Sequence, residues 1–572
     1  MPFLNTYFKR FATVSMYPSY LKKRISLAKI RAKSYPLDSM DFIMMDMERP
    51  ESLKRHADFC TGDLTGRYLD FLSATMEVDE TDRERLDELF KRILNCRTKE
   101  GTFGAAYNRA SLNESEYNKI WGTAAKHFVG LIRYYLWSGD VKALDAAVGN
   151  AEYFLSHKEY TYKILDEDKK SNGFRLSYWI TEPLAMLYGI IGDERYIETI
   201  RKIEQSMPDS LYSHHSHGFM TTLRGFQLAA IYTGEKSFNY LPEKFRKLIA
   251  EEAVWPDGNI SESFPMSQRN EGCSIADWIM LNLYSGFITG NPECYELAEN
   301  AMFNALSLNQ TVNGGFGHRM LKKDKTGYLA GHLSEEAWWC CLHDAGLSMV
   351  EYARHAVTME NDKISVNFLL PGNYTFDDIT ITITTNYPQT ANAIITAKNT
   401  DGISIRIPSF VKNAEIKETI LPNNTKRYSV TGDIGYYLSD TLNGVVLKYG
   451  PLVMAPLRYL VDEDENSTKN TSIPEGYVPE IMPKDKPAII INRIDEKGFI
   501  VFEKTPYPEW QCYEEGLVSE LAFDDLSVNV PLYYPNGSVT QHRFYPMAYS
   551  TTTTIGNDLP FVFDSMDSCS NR

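Results

Sequence analysis

The segment FVGLIRYYLWSGDVKALDAAV, residues 128–148, shows how the first half of this chain folds. Its apolar residues recur at helical spacing as far as Trp137, and Gly139 follows where a left-handed residue commonly ends a helix. Asp140 is a suitable N-cap residue for a second helix. The segment therefore predicts two helices joined by a tight turn.

The same pattern repeats along the chain, with turn glycines at positions 139, 192, 234 and 290. One helix pair therefore recurs roughly every fifty residues, which is too long for a tetratricopeptide array. The long loops between pairs favour a closed α/α toroid with a central funnel, and an open solenoid is the alternative that the pattern leaves. We assign this domain to residues 51–356.

After Val357 the apolar period becomes two, which predicts β-strands. The predicted strands include Lys363–Leu370, Ile379–Thr385, Ala393–Ala397 and Ile403–Ile407. We assign 357–462 to a β-sandwich, 463–486 to a linker, and 487–572 to a second β region or to completion of the sandwich. Residues 1–50 have no clear periodicity and are assigned to an N-terminal arm of unknown structure.

The charge balance and the lengths of the apolar runs exclude some classes of binding partner. The 572 residues carry 59 Lys and Arg against 75 Asp and Glu, a net charge of −16, so non-specific binding to nucleic acid is not expected. No apolar run is long enough for a transmembrane helix or a signal-peptide core, and we expect a cytoplasmic protein that does not associate with membranes. The eight cysteines lack the density of a disulfide-stapled secreted protein.

Three cysteines and a glutamate form a candidate metal site. Glu271 and Cys273 precede or begin one predicted helix, and the adjacent Cys340 and Cys341 precede another. Thiolates select zinc over calcium or magnesium, and four ligands satisfy tetrahedral zinc. Two alternatives remain open on residue type: the cysteines pack as small hydrophobic residues, or the zinc is purely structural because four protein ligands leave no open position.

Other polar residues are weaker candidates. Glu262 could donate a proton if burial raised its pKa, although a solvated loop glutamate is the alternative. His127 lies at the start of a predicted inner helix, where a helix-end histidine without a catalytic role is the alternative. His318 lies on a Gly-rich loop that lacks the features of a phosphate loop. Trp338 could stack on a sugar face or pack in the core. The cluster His214, His215 and His217 could bind a metal, but we interpret it as part of an exposed loop that leads into a helix.

Taken together, these motifs resemble the β-L-arabinofuranosidase family, glycoside hydrolase family 127. The family's Glu-x-Cys motif is matched by residues 271–273, its Cys-Cys pair by 340–341, and its upstream Glu followed closely by Phe by 262–264. The segment 121–154 is similar to the helix pair that brings a histidine to the sugar, here His127. The stretches 405–410 and 448–453 are similar to two of the family's β-strand motifs.

The resemblance implies an (α/α)6 toroid followed by β-sandwich domains, and a retaining exo-glycosidase. By this resemblance Cys340, as a zinc-held thiolate, would be the nucleophile and Glu262 the general acid/base, while Glu271, Cys273 and Cys341 complete the zinc site. The implied substrate is a terminal β-L-arabinofuranoside, or a related furanose-like sugar, on a plant or microbial glycan. The sugar-binding residues would include His127, Trp338 and His318, and a homodimer is one oligomeric state left open.

Two departures mark a divergent member. Thr221 stands where the family typically has a histidine, and Leu342-His343-Asp344 follows the cysteine pair in place of Pro-Pro-Asn. The sugar therefore stays open. A lyase or epimerase on the same toroid, or a glycan-binding protein with a structural zinc, is the alternative function.

Overall fold

A computed structural model describes residues 10–48, 62–76, 82–103, 114–174, 176–311, 313–456, 486–505, 526–547 and 559–567. The linker that we assigned to 463–486 lies, except for its last residue, outside the described residues. No helix within these ranges is long and apolar enough to cross a bilayer.

The first part of the chain is helical, with one short strand near its start. The helices are α1 (Tyr20–Ala32), α2 (Met40–Glu48), α3 (Asp63–Thr75), α4 (Arg83–Asn95), α5 (Glu114–Ser138), α6 (Val141–Ser156), α7 (Lys158–Ser171), α8 (Thr181–Ile191), α9 (Glu194–Ser206), α10 (Ser216–Thr233), α11 (Tyr240–Glu252), α12 (Gly272–Thr289), α13 (Pro292–Ala301) and α14 (Cys341–Arg354).

Six of these helices form a closed inner ring. Helices α3, α5, α8, α10, α12 and α14 each contact the next, and α14 returns to contact α3. Helices α4, α6, α9, α11 and α13 each pack outside the inner helix that precedes them. The sixth outer position, on α14, is filled by α1. The described helices thus form an (α/α)6 toroid, which confirms the predicted fold class and excludes the open solenoid.

The N-terminal segment is part of this fold. Besides α1, the short strand Thr13–Met16 pairs with Gly372–Phe376 of the β region. The described part of the segment that was assigned to an arm of unknown structure therefore joins the toroid to the β-sheets.

The turns between paired helices follow the sequence pattern. Gly139, Gly192, Gly234 and Gly290 have φ values of 73°, 72°, 76° and 70°. A Cβ added at Gly139 would meet nothing within 4 Å, so the left-handed backbone, rather than space, favours glycine there. The side chain of Asp140 caps α6 by accepting from the backbone N–H of Lys142.

Glycines also let the inner helices approach each other. A Cβ on Gly66 of α3 would lie 2.2 Å from the backbone nitrogen of His127 on α5. A Cβ on Gly225 of α10 would lie 2.2 Å from the hydroxyl of Thr181 on α8. Backbones therefore pack closely around the ring, and this brings side chains from neighbouring helices to its centre.

The strands within the described ranges form four sheets. They are β1 (Thr13–Met16), β2 (Gly317–Leu321), β3 (Gly327–Glu336), β4 (Val357–Glu360), β5 (Lys363–Val366), β6 (Gly372–Phe376), β7 (Ile379–Thr385), β8 (Ala393–Lys398), β9 (Ile403–Ile405), β10 (Lys412–Leu421), β11 (Thr425–Asp433), β12 (Tyr436–Thr441), β13 (Gly444–Tyr449), β14 (Leu452–Pro456), β15 (Ala488–Ile491), β16 (Glu503–Lys504), β17 (Val528–Tyr533), β18 (Val539–Pro546), β19 (Leu559–Pro560) and β20 (Asp564–Asp567).

Sheet order shows how the C-terminal segments combine. One sheet has the order β1-β6-β7-β8-β11-β10, and a second has β12-β13-β14-β18-β17-β15-β20, with β16 paired to β17. The described strands after residue 486 therefore join the sheet that β12–β14 begin. Smaller sheets have the orders β4-β5-β9 and β19-β3-β2.

Candidate active site

A cluster of three thiols and one carboxylate lies where two inner helices begin side by side. Cys273 is in the first turn of α12, Cys341 is the first residue of α14, and Cys340 is the N-cap of α14. The Cys341 sulfur lies 3.6 Å from that of Cys273 and 3.7 Å from that of Cys340. Oε1 of Glu271 lies 3.9 Å from the Cys340 sulfur. The contact between α12 and α14 therefore joins residues about seventy positions apart.

The cluster has the donor set of a metal site. All four ligand atoms lie within 4.8 Å of one another, and all four residues are buried. The sulfur distances are far longer than the roughly 2.05 Å of a disulfide bond. These four residues could hold a metal ion, because soft thiolates and a carboxylate in one buried site suit a transition metal.

The three buried thiols differ in pKa. Burial raises the pKa of Cys273 and Cys341 well above the ordinary value, whereas hydrogen bonds from these two neighbours outweigh the effect of burial on Cys340 and hold its pKa well below that value. Three thiolates cannot share a desolvated site without a compensating cation. Cys340 is therefore the thiol that carries negative charge most readily.

Histidines hold Glu271 ionised. Burial by itself would raise the pKa of this carboxyl, but His215, with His217 and His318, keeps it well below its usual range. Nε2 of His215 lies 3.1 Å from Oε2 of Glu271, and the pairing raises the pKa of His215 although burial acts against this. The cluster thus receives an ionised oxygen donor over the whole neutral range.

Glu262 lies beside the cluster. Its carboxylate accepts two hydrogen bonds from the Arg269 guanidinium, at 2.6 and 2.7 Å. One of its carboxylate oxygens lies within 4.8 Å of a ring nitrogen of His215 and of a carboxylate oxygen of Glu271. The side chain is 24% exposed, so Glu262 is a fixed, partly solvent-accessible carboxylate rather than a freely solvated loop residue.

A network of buried charges continues from the cluster into the ring. His217 lies 3.3 Å from Asp344 of α14 and pairs with Asp277 of α12. Arg67 of α3 pairs with Asp344 and places its guanidinium 3.2 Å from Nε2 of His217. Ligand atoms of His217, Cys273 and Asp344 lie within 4.8 Å of one another, so the network adjoins the thiols directly.

This network corrects one interpretation of the sequence. We expected His214, His215 and His217 to lie in an exposed loop, but His217 is 2% exposed and begins the inward face of α10. His217, Thr221 and Arg224 follow one another at helical spacing, and this periodicity was the signal available in the sequence. The partners Arg67, Asp277 and Asp344 come from three other helices, which local periodicity does not connect.

The three predicted sugar-binding residues, His318, His127 and Trp338, lie in different surroundings. His318 lies in β2 rather than in a Gly-rich loop, is 4% exposed, and helps to hold Glu271 ionised. His127 is buried on α5, with its ring 5.6 Å from that of Phe103. Trp338 is partly buried, and its ring lies 5.1 Å from that of Phe42. His318 therefore interacts with the cluster through Glu271, whereas the ring contacts described for His127 and Trp338 are with Phe103 and Phe42.

The family described as "Beta-L-arabinofuranosidase, GH127 catalytic domain" matches residues 7–354. No curated protein sequence matches significantly.

Several solved structures share the fold over nearly their whole length. A GH127 β-arabinofuranosidase superposes with a TM-score of 0.67 at 12% identity, covering 98% of each chain. A GH127 β-L-arabinofuranosidase from Geobacillus stearothermophilus T6 gives 0.68 at 11% identity, covering 97% of this chain and 100% of the other. A structure described as a glycoside hydrolase gives 0.64 at 14% identity, covering 96% of each. At this identity the likeness establishes the fold: a helical domain followed by β-rich domains.

Proposed function

Since the chain belongs to the family of the GH127 β-L-arabinofuranosidase catalytic domain and is a glycoside hydrolase that acts on a glycan, we propose that it is a retaining exo-glycosidase with Cys340 as its nucleophile. The proposed substrate is a terminal β-L-arabinofuranoside or a closely related furanoside. The observation that carries the proposal is the buried cluster of Glu271, Cys273, Cys340 and Cys341, with the carboxylate of Glu262 at its edge.

Zinc is the metal that we propose for the cluster. Two sulfur ligands of a tetrahedral zinc ion, with bonds of about 2.3 Å, lie about 3.8 Å apart. The two sulfur–sulfur distances of 3.6 and 3.7 Å in the cluster agree with this value. Four anionic ligands suit a divalent cation of borderline softness. When bound, zinc would keep the Cys340 thiol deprotonated at neutral pH, so no separate base is required to activate it.

The proposed first step is a displacement at the anomeric carbon. The Cys340 thiolate forms a carbon–sulfur bond as the bond from that carbon to the glycosidic oxygen breaks. Glu262, in its acid form, transfers its proton to the departing oxygen, so the aglycone leaves as an alcohol. The products of this step are a thioglycoside on Cys340 and the carboxylate of Glu262.

The second step reverses these roles. Glu262 takes a proton from water as the water oxygen attacks the anomeric carbon, and the carbon–sulfur bond breaks to return the Cys340 thiolate. Two inversions give net retention of configuration, as in retaining glycosidases that use a carboxylate nucleophile. Arg269 holds Glu262 in place through two hydrogen bonds, and we assign this arginine a positioning role.

A panel of p-nitrophenyl glycosides tests the substrate and the metal together. We expect the wild-type protein, in reducing buffer with zinc, to release p-nitrophenol from the β-L-arabinofuranoside. Treatment with a chelator should abolish this activity, and added zinc should restore it, with about one zinc ion per chain by elemental analysis. Activity confined to pyranosides would refute the furanoside assignment, and full activity in metal-free protein would refute the role of zinc.

A further inference from the structure

Among the residues that the structure describes, one buried cation of the inner ring has no carboxylate in direct contact with it. Lys126 of α5 is 6% exposed, and within the described ranges its ammonium group has no hydrogen bond or ion pair. Its described contact is with the Trp179 ring, whose centroid lies 5.1 Å from Nζ. An ammonium group has three N–H donors. The cation–π contact with Trp179 stabilises the positive charge but does not give these donors directional hydrogen-bond acceptors.

The neighbouring buried cations behave differently, since each is held directly by carboxylates. They are Arg67 with Asp63 and Asp344, Arg133 with Asp70, and Arg224 with Glu182 and Asp277. A buried charged group without hydrogen bonds destabilises the folded state, and native proteins seldom keep such a group unless it has a function. Lys126 is thus an exception within an otherwise paired set.

The position of Lys126 connects it to the reacting centre. The ring of Trp179 lies 5.0 Å from that of His217, and His217 adjoins Cys273 within the 4.8 Å group described above. A Cβ on Gly218 would lie 2.3 Å from Nε1 of Trp179, so a glycine at this position lets the indole pack against the start of α10. Trp179 therefore links Lys126 to His217, and His217 in turn adjoins the cysteine cluster.

We propose that Lys126 is a substrate-binding residue that donates hydrogen bonds to hydroxyl oxygens of the sugar held in front of the cysteine cluster. This inference rests on the proposed glycosidase function and adds a recognition residue to it. Hydroxyl oxygens are the acceptors that the three N–H donors of Lys126 lack.

The surrounding charges favour a neutral sugar over an acidic one. Asp70 and Asp344 both interact electrostatically with Lys126, which helps to stabilise the ionised form of each carboxylate. The single positive charge is therefore already offset by carboxylates at longer range. A uronic acid would bring a further negative charge next to them, so we infer recognition of uncharged hydroxyl groups.

The experiment compares Lys126→Met with Lys142→Met, a matched substitution at an exposed lysine of α6. Titration calorimetry with L-arabinose measures binding to the zinc-loaded proteins without requiring turnover. We expect Lys126→Met to bind about tenfold to a hundredfold more weakly than wild type, with an unfolding temperature no lower than that of wild type. Lys142→Met should bind as wild type does.

The outcomes separate this inference from the proposed function. Unchanged sugar affinity in Lys126→Met, or an unfolding temperature that falls by several degrees, would overturn the inference and make Lys126 structural. A protein inactive on arabinofuranosides that binds another neutral sugar in a Lys126-dependent way would refute the substrate assignment and support the inference. Tighter binding of glucuronic or galacturonic acid than of neutral sugars, dependent on Lys126, would overturn the preference for uncharged hydroxyl groups.

Discussion

The Cys340→Ala variant is expected to lose about 10⁴-fold or more in kcat/KM on the p-nitrophenyl furanoside. Removal of a covalent nucleophile costs losses of this size in other hydrolases, because the residual site binds substrate but cannot form the intermediate. Cys340 is the cluster thiol that carries negative charge most readily, and it is 6% exposed, whereas Cys273 and Cys341 are fully buried. The measurement is steady-state hydrolysis together with zinc content and the unfolding temperature.

A matched control separates the nucleophile from general effects of cysteine removal. Cys96, at the end of α4, is a free, half-buried cysteine outside the cluster, and Cys96→Ala should keep wild-type kinetics. Cys340→Ala should still fold, because three of the four proposed metal ligands remain. Hydrolysis within tenfold of wild type in Cys340→Ala, at full zinc content, would contradict the nucleophilic role.

The Glu262→Gln variant is expected to lose about 10²- to 10⁴-fold in activity towards alkyl furanosides, the range typical of general acid catalysis. Glutamine keeps the size of the side chain and a carbonyl oxygen that can accept from Arg269, but it has no proton to give at neutral pH. With p-nitrophenol, which departs without protonation, formation of the intermediate should be much less affected. Rates measured over a series of leaving groups therefore show a steeper dependence in the variant than in wild type.

The control for this series is Glu152→Gln. Glu152 is an exposed carboxylate held by two nitrogens of Arg195 on the outside of the toroid, so it reproduces the arginine pairing without the active site. It should have wild-type kinetics with every leaving group. Equal losses for good and poor leaving groups in Glu262→Gln would argue that Glu262 only positions other residues.

Local sequence signals predicted the elements that depend on local chemistry. Each turn glycine at 139, 192, 234 and 290 needs a left-handed backbone, and the apolar period before it predicts a helix, so the pairs could be read directly. The four cluster residues were recognisable because their types, rather than their neighbours, suit a metal. The change of period near Val357 likewise marked the start of the β region.

Contacts between segments far apart in the sequence could not be predicted from such local signals. Helix α1 packs against α14 in the outer ring because the first and last parts of the toroid meet when the ring closes. The local sequence of residues 20–32 contains no signal for that contact. The ion pair between Arg67 and Asp344 joins residues 277 positions apart. The hairpin of β2 and β3 lies between two helices of the toroid, and its strands pair mainly with each other. The helical periodicity of the flanking sequence therefore did not predict it.

The central claim is a covalent bond between the sugar and Cys340, and trapping that bond tests it most directly. The wild-type protein would react with a 2-fluoro-furanoside that carries a good leaving group, which slows release of the intermediate, and would then be digested and sequenced by mass spectrometry. The account predicts one glycosyl group on the Cys340 sulfur, absent from Cys340→Ala. A glycosyl group on Glu262 or Glu271 instead, or release of a product with inverted configuration and no adduct, would contradict it.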